Sequence, residues 1–145
     1  MFDKYINFDR VAEEMLRNRE DNLVALASLW DQWAEVDPEH SIGAIQYDQD
    51  PVQRSPKDDS MANELIQREA LRTRIRDLEN ERRMFDRAWA KLSDDEKQIL
   101  TISYMQGLRT KDAIDVICQS FHYERTKAYA MRHDALRRFK KLLFG

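Results

Sequence analysis

The chain is poor in residues that interrupt helices: its 145 positions hold only three glycines and three prolines. All three prolines (Pro38, Pro51, Pro56) and Gly43 fall between Asp37 and Ser60, which leaves long stretches on both sides free to run as helix. A single cysteine, Cys118, excludes an intrachain disulfide. Set among Ile114, Ile117 and Phe121, it reads as a small buried side chain. Histidine is scarce as well. On a continuous helix His122 and His133 would lie about 16 Å apart along the axis, too far to share a metal, and His40 is remote in sequence. The chain has no glycine-rich phosphate loop, no close cysteine pair and no recognisable Ser/His/Asp context. Carboxylates are plentiful, but they sit among arginines at helical spacing, as in Arg74, Asp77 and Glu81 or Arg76, Glu79 and Arg83, the pattern of surface ion pairing. These absences point away from an enzyme and from any cofactor or metal. No apolar run approaches the roughly 20 residues of a membrane helix. The first residues also lack the basic-then-apolar order of a signal peptide, so a cytoplasmic location without a membrane partner is expected.

What is present favours an all-α protein. Charged residues make up 35 % of the chain, and Ala, Leu, Arg, Glu and Lys dominate long stretches. Between Phe8 and Val36, the residues Phe8, Val11, Met15, Leu26, Leu29 and Trp33 fall on one arc of a helical wheel, with Leu16, Leu23 and Trp30 on its shoulder. From Arg17 to Asn22 that arc holds nothing apolar, which predicts a bend or two shorter helices. Asp37–Pro38 closes this N-terminal helical segment (residues 1–36). A proline-containing linker follows (37–60), whose Ile42, Ile45, Tyr47 and Val52 imply that it packs against something.

From about Asp59 to Ala90 no Gly or Pro occurs, predicting one charged helix (61–91 at its core) of roughly 30 residues, about 45 Å long. Within it Leu71, Ile75, Leu78, Arg82, Phe85, Trp89 and Leu92 recur with the 3.5-residue period of a helix that keeps one seam against a partner helix. Either the N-terminal helix folds back antiparallel to supply that partner, as a long helical hairpin, or a second subunit supplies it as a homodimeric coiled coil. The sequence leaves both open.

Residues 92–145 read as three consecutive helices. Ser93-Asp94-Asp95-Glu96 has the form of a capping box, and the helix it opens would carry Ile99, Leu100, Ile102, Ser103 and Tyr104 and stop at Gly107. Thr110 would cap a second helix bearing Ala113, Ile114, Ile117 and Cys118. After a break at Phe121–Tyr123, a third helix from Glu124 to Leu143 would turn Ala128, Met131, Ala135, Phe139 and Leu142 inward, its alanines permitting close approach to the neighbouring helices. Charge coincides with this layout. From Phe121 to the end the chain carries seven Lys and Arg against Glu124 and Asp134, a net of +5, while the whole chain has a net charge of −3. Basic residues in the last turns of a helix also complement its dipole. A basic helix on an otherwise acidic protein nevertheless suits a row of phosphates, and a helix-turn-helix reading double-stranded DNA follows. Its third helix would present Arg125, Thr126, Lys127, Tyr129, Arg132 and His133 to the major groove. Arg109, Thr110 and Lys111, at the start of the second helix, would meet the phosphate backbone.

Leu92-Ser-Asp-Asp-Glu-Lys-Gln-Ile-Leu100, with Tyr104, Gly107, Ala135-Leu136, Phe139 and Leu142, resembles the region-4 helix-turn-helix of sigma factors. The string YDQDPVQRSPKDDSM from Tyr47 to Met61, followed by a long charged helix and this C-terminal unit, resembles the ArpU family of phage transcriptional regulators from Gram-positive hosts. That resemblance spans roughly residues 40–145. It implies a sequence-specific DNA-binding activator of late phage genes for packaging, morphogenesis or lysis; the sequence leaves open whether host RNA polymerase is a partner. This chain departs from the sigma pattern in having Glu124 where such helices begin with Ser or Thr. The competing readings are a helical adaptor that binds polymerase or another regulator without touching DNA, and a DNA-binding protein associated with phage packaging.

Overall fold

The computed structural model describes residues 6–36 and 54–145, and among them every regular element is helical. Helix α1 spans Phe8–Arg17 and α2 spans Arg19–Glu35. Helix α3 spans Arg54–Ala90 and α4 spans Asp94–Leu100, which runs directly into a wider π turn at Thr101–Met105. Helices α5 (Thr110–Phe121) and α6 (Arg125–Phe144) complete the chain. Most of the proposed linker, with its Ile42, Ile45, Tyr47 and Val52, lies outside the described residues. The backbone is already helical at Arg54, ahead of the expected start near Asp59, so Pro56 falls in the first turn, where a missing N–H costs no hydrogen bond.

The helices form two compact units. One gathers the described residues up to Asp21 with Arg82–Gly145, and the other takes the described residues between Asn22 and Glu81. The N-terminal helix breaks at Asn18, inside the gap in its apolar arc. Once the chain breaks there, the arc no longer serves one core. In the first unit α1 buries Ala12, Met15 and Leu16. In the second, Leu26 packs with Ile75 and Leu78, with Leu29, Trp33 and Leu71 at the margin.

Within that second unit, side-chain contacts run antiparallel between α2 and α3. Asn22 near the start of α2 donates to Glu81 (3.3 Å), and Trp30 donates from Nε1 to Glu79 (3.1 Å). Gln32, Glu35 and Val36 border a groove with Glu64, Gln67, Arg68 and Leu71. The seam read from sequence is thus divided. Leu71, Ile75 and Leu78 belong to this cluster, while Phe85, Ala88 and Leu92 are buried in the first unit.

The first unit is built around α6. Ala128 and Phe139 are fully buried and Ala135 nearly so, and α1, the α4 helix with its π turn, and α5 all pack on this face. Phe139 meets Phe85 and Trp89 edge-on, with ring centroids 5.3 and 6.2 Å apart. The capping box forms as expected: Ser93 Oγ accepts from the Glu96 amide (3.2 Å) while Glu96 Oε1 accepts from the Ser93 amide (2.9 Å). The helix it opens does not continue regularly to Gly107. Ile99, Leu100, Ile102, Ser103 and Tyr104 are all buried, more consecutive inward positions than one face of an α-helix offers. The π turn accommodates them, beginning where Thr101 Oγ1 donates to the Lys97 carbonyl (2.7 Å). Gly107, with φ +69°, then ends the element in the left-handed region.

Candidate nucleic-acid interface

Three residues, His122 to Glu124, separate α5 from α6, the length of a helix-turn-helix turn. His122 takes the left-handed conformation (φ 58°), and its amide donates to the Cys118 carbonyl. Tyr123 stacks on Phe121 with centroids 5.3 Å apart, and the Lys127 ammonium sits 4.4 Å above the Tyr123 ring. The turn is therefore braced by two rings and a cation, which fixes where α6 begins. Glu124 is the N-cap of α6 but makes no side-chain capping bond, so the amides of the first turn are left to solvent or a ligand.

The residues singled out in sequence do not share one environment. Arg109, Thr110 and Lys111 are exposed at the start of α5. Thr110 does not cap that helix. The extended residue is Arg109 (φ −66°, ψ 154°), which makes Thr110 the first helical position. On α6, Arg125, Thr126, Lys127, Tyr129 and His133 are exposed. Arg125 donates from Nη1 to Asp115 Oδ1 on α5 (2.9 Å).

Arg132 turns the other way. Its guanidinium lies 4.8 Å over the Tyr104 ring, and its Nε is buried without a hydrogen-bond partner. It lines a cleft of about 300 Å3 with Asp9, Glu13, Tyr104, Leu136 and Lys140, and His133 and Arg137 border the same cleft. Tyr104, an aromatic from the π turn, meets an arginine that the 4-3-4 spacing of Ala128, Arg132, Ala135 and Phe139 already turns toward the core. Burial pushes the Tyr104 phenol above its ordinary value of 10.0, Arg132 pulls it back, and Glu13, Arg17 and Asp9 add smaller opposing effects.

Two cations not singled out from the sequence complete the outward face. Arg137 and Lys141 are exposed and make no ion pair among the described residues. A signal for them was available, since Thr126, Ala130, His133, Arg137 and Lys141 follow helical spacing on the side opposite Ala128, Ala135 and Phe139. Their neighbours are engaged: Lys140 pairs with Asp9 (2.8 Å), and Arg138 pairs with Glu96 (3.4 Å) and donates to the Lys91 carbonyl (3.3 Å). The cations of α6 thus differ in their surroundings. Lys140, Arg138 and Arg125 meet carboxylates of α1, α4 and α5, Arg132 meets the Tyr104 ring, and Arg137, beside the α1 cleft, and Lys141 make no ion pair among the described residues. Among the described residues no three of His, Cys, Asp and Glu converge as a metal would require, and no helix is long and apolar enough to cross a membrane. Comparison with protein-family models, curated proteins and solved structures returned no match.

Proposed function

We propose that this chain is a sequence-specific regulator of transcription that binds double-stranded DNA through α5 and α6, as its resemblance to the ArpU and sigma region-4 patterns implies. The observation that carries the reading is a set of exposed cations with no ion pair among the described residues. Arg109 and Lys111 begin α5, and Lys127, Arg137 and Lys141 lie on α6, while Lys140, Arg138 and Arg125 are held by carboxylates. Length supports it as well. The 12 residues of α5 put about 18 Å between its start, with Arg109 and Lys111, and the turn into α6, enough for that start to reach a phosphate backbone while the first residues of α6 enter a major groove about 12 Å wide. The uncapped start of α6 adds a partial positive charge where the helix would meet the duplex. In this reading the first residues of α6 reach the base edges, late phage genes are the targets, and host RNA polymerase is recruited.

The test is binding of purified protein to duplex fragments of the genome that carries its gene, at rising salt. Five phosphate contacts predict preferred fragments bound with a log–log salt slope of roughly −4. A protein with neither fragment preference nor salt-dependent binding would be the adaptor instead. One observation favours that second reading: on α2 and α3, Val24, Ile66 and Leu65 are 71 %, 66 % and 57 % exposed, apolar surface of the kind a protein partner covers.

A further inference from the structure

Arg125 is the first residue of α6, and its single ion pair reaches back to Asp115 on α5. The two side chains are 54 % and 48 % exposed, so the pair contributes little to folding. Its geometry has another consequence. A guanidinium carries five N–H donors in a planar fork, and the bond from Nη1 to Asp115 leaves most of that fork unengaged. A carboxylate that holds a long side chain in one rotamer also removes part of the ordering cost that a free arginine would meet on binding. The contact an arginine is best shaped to make in the major groove is bidentate donation to O6 and N7 of guanine.

We propose that Asp115 is a positioning residue that holds Arg125 for recognition of one guanine in the DNA target. The inference rests on the DNA-binding reading and names a base that reading leaves open. Asp115 then has two effects of opposite sign. As a carboxylate close to the duplex it repels phosphate from every sequence, and as a support for Arg125 it favours one base at one position. Removing it strengthens binding to unrelated DNA and weakens discrimination at that guanine, a combination that neither simple repulsion nor a folding defect produces.

The experiment uses the full chain and a duplex library with a randomised core, enriched by wild type, Asp115→Ala, Asp115→Asn, Arg125→Ala and the Asp115→Ala/Arg125→Ala double variant. Dissociation constants are then measured for the enriched duplex, for its G·C-to-A·T counterpart and for an unrelated duplex, with thermal midpoints recorded for each protein. Wild type is expected to enrich a motif containing a guanine whose preference disappears in Arg125→Ala. In Asp115→Ala that preference falls about threefold, the other positions keep theirs, and unrelated DNA is bound at least as tightly. Asp115→Asn, which keeps an acceptor oxygen, retains part of the preference, and Asp115→Ala has no further effect once Arg125 is gone. Undiminished guanine preference in Asp115→Ala, or the same loss in the Arg125→Ala background, overturns the positioning role and leaves DNA binding standing. A wild-type protein that enriches no motif and shows no salt-dependent binding overturns both.

Discussion

Among the described residues, seventeen buried ones from α1, α3, the turn after α3, α4, the π turn, α5 and α6 form one cluster around α6, whereas between α2 and α3 only Leu26, Ile75 and Leu78 are buried together. The first unit therefore has a core able to hold side chains in place. The second depends on helix propensity, on polar contacts such as Trp30 to Glu79, and on a thin apolar seam. Surface chemistry divides along the same line. Charges of both signs share α3, as in Arg72, Arg74, Arg76, Asp77, Glu79 and Glu81, while the exposed charges of α6 are mostly basic. Recognition that needs a fixed geometry belongs with the packed unit, and the three most exposed large apolar side chains among the described residues, Val24, Ile66 and Leu65, lie on the thin one.

Core substitutions give the largest effects and test the comparison most directly. Phe139 is fully buried against two aromatic rings, so Phe139→Ala should cost about 3–5 kcal/mol in chemical denaturation and unfold the α6 unit under mild conditions. Leu78→Ala, in a seam of three, should cost roughly 2 kcal/mol, near the lower limit for such truncations, and reduce protection of α2 and of α3 up to Glu81 in hydrogen exchange while leaving the α6 unit intact. Equal loss of protection in both regions from Leu78→Ala would mean that the two units do not fold as distinct bodies.

Charge removal sharpens the second half of the comparison. Arg137→Ala and Lys141→Ala should each weaken DNA binding by a similar factor on every sequence and lower the salt slope by about 1. Arg72→Ala and Arg74→Ala, on exposed positions of α3, should leave both quantities unchanged. Gel-shift titrations at several salt concentrations measure this, and an equal loss from α3 would move the interface away from α6.

How much of this was legible in sequence depends on how local each feature is. The Ser93–Glu96 capping box involves residues three apart and reports itself. Ser93→Ala should accordingly cost about 1 kcal/mol, read as a shift in the denaturation midpoint. The break at Phe121–Tyr123 and the inward stripe of α6 were equally readable, because spacing on one helix decides them. The faces of α1 and α2 were not. One apolar arc passes through both, and only tertiary partners assign Leu16 to one core and Leu26 to the other. The π turn was hidden for a related reason, since burial of Ile102, Ser103 and Tyr104 in sequence is a tertiary demand that overrides helical period. Arg132 is the opposite case in the candidate site. Its 4-3-4 spacing with Ala128, Ala135 and Phe139 already turns it inward, and only the ring it meets, from the distant π turn, is a tertiary matter.

That inward arginine leads to the smallest expected effect, which is a pH dependence. Tyr104 is buried beneath Arg132 at 4.8 Å and Arg17 at 5.6 Å, and burial raises its phenol above the ordinary value while Arg132 partly offsets the shift. Because the folded state holds this proton to higher pH than the unfolded chain, the linked stability is fully present below about pH 10. It is lost as pH rises from there through the folded-state value. Tyr104→Phe keeps the ring under both guanidinium groups and removes the proton. It should therefore lose less stability than wild type between neutral and strongly alkaline pH. Phenolate absorbance and denaturation midpoints measured across that range decide the matter. Parallel alkaline losses in the two proteins would show that Tyr104 ionises as freely when folded as when unfolded, and that the cleft between α1 and α6 is wet enough to belong with the exposed face.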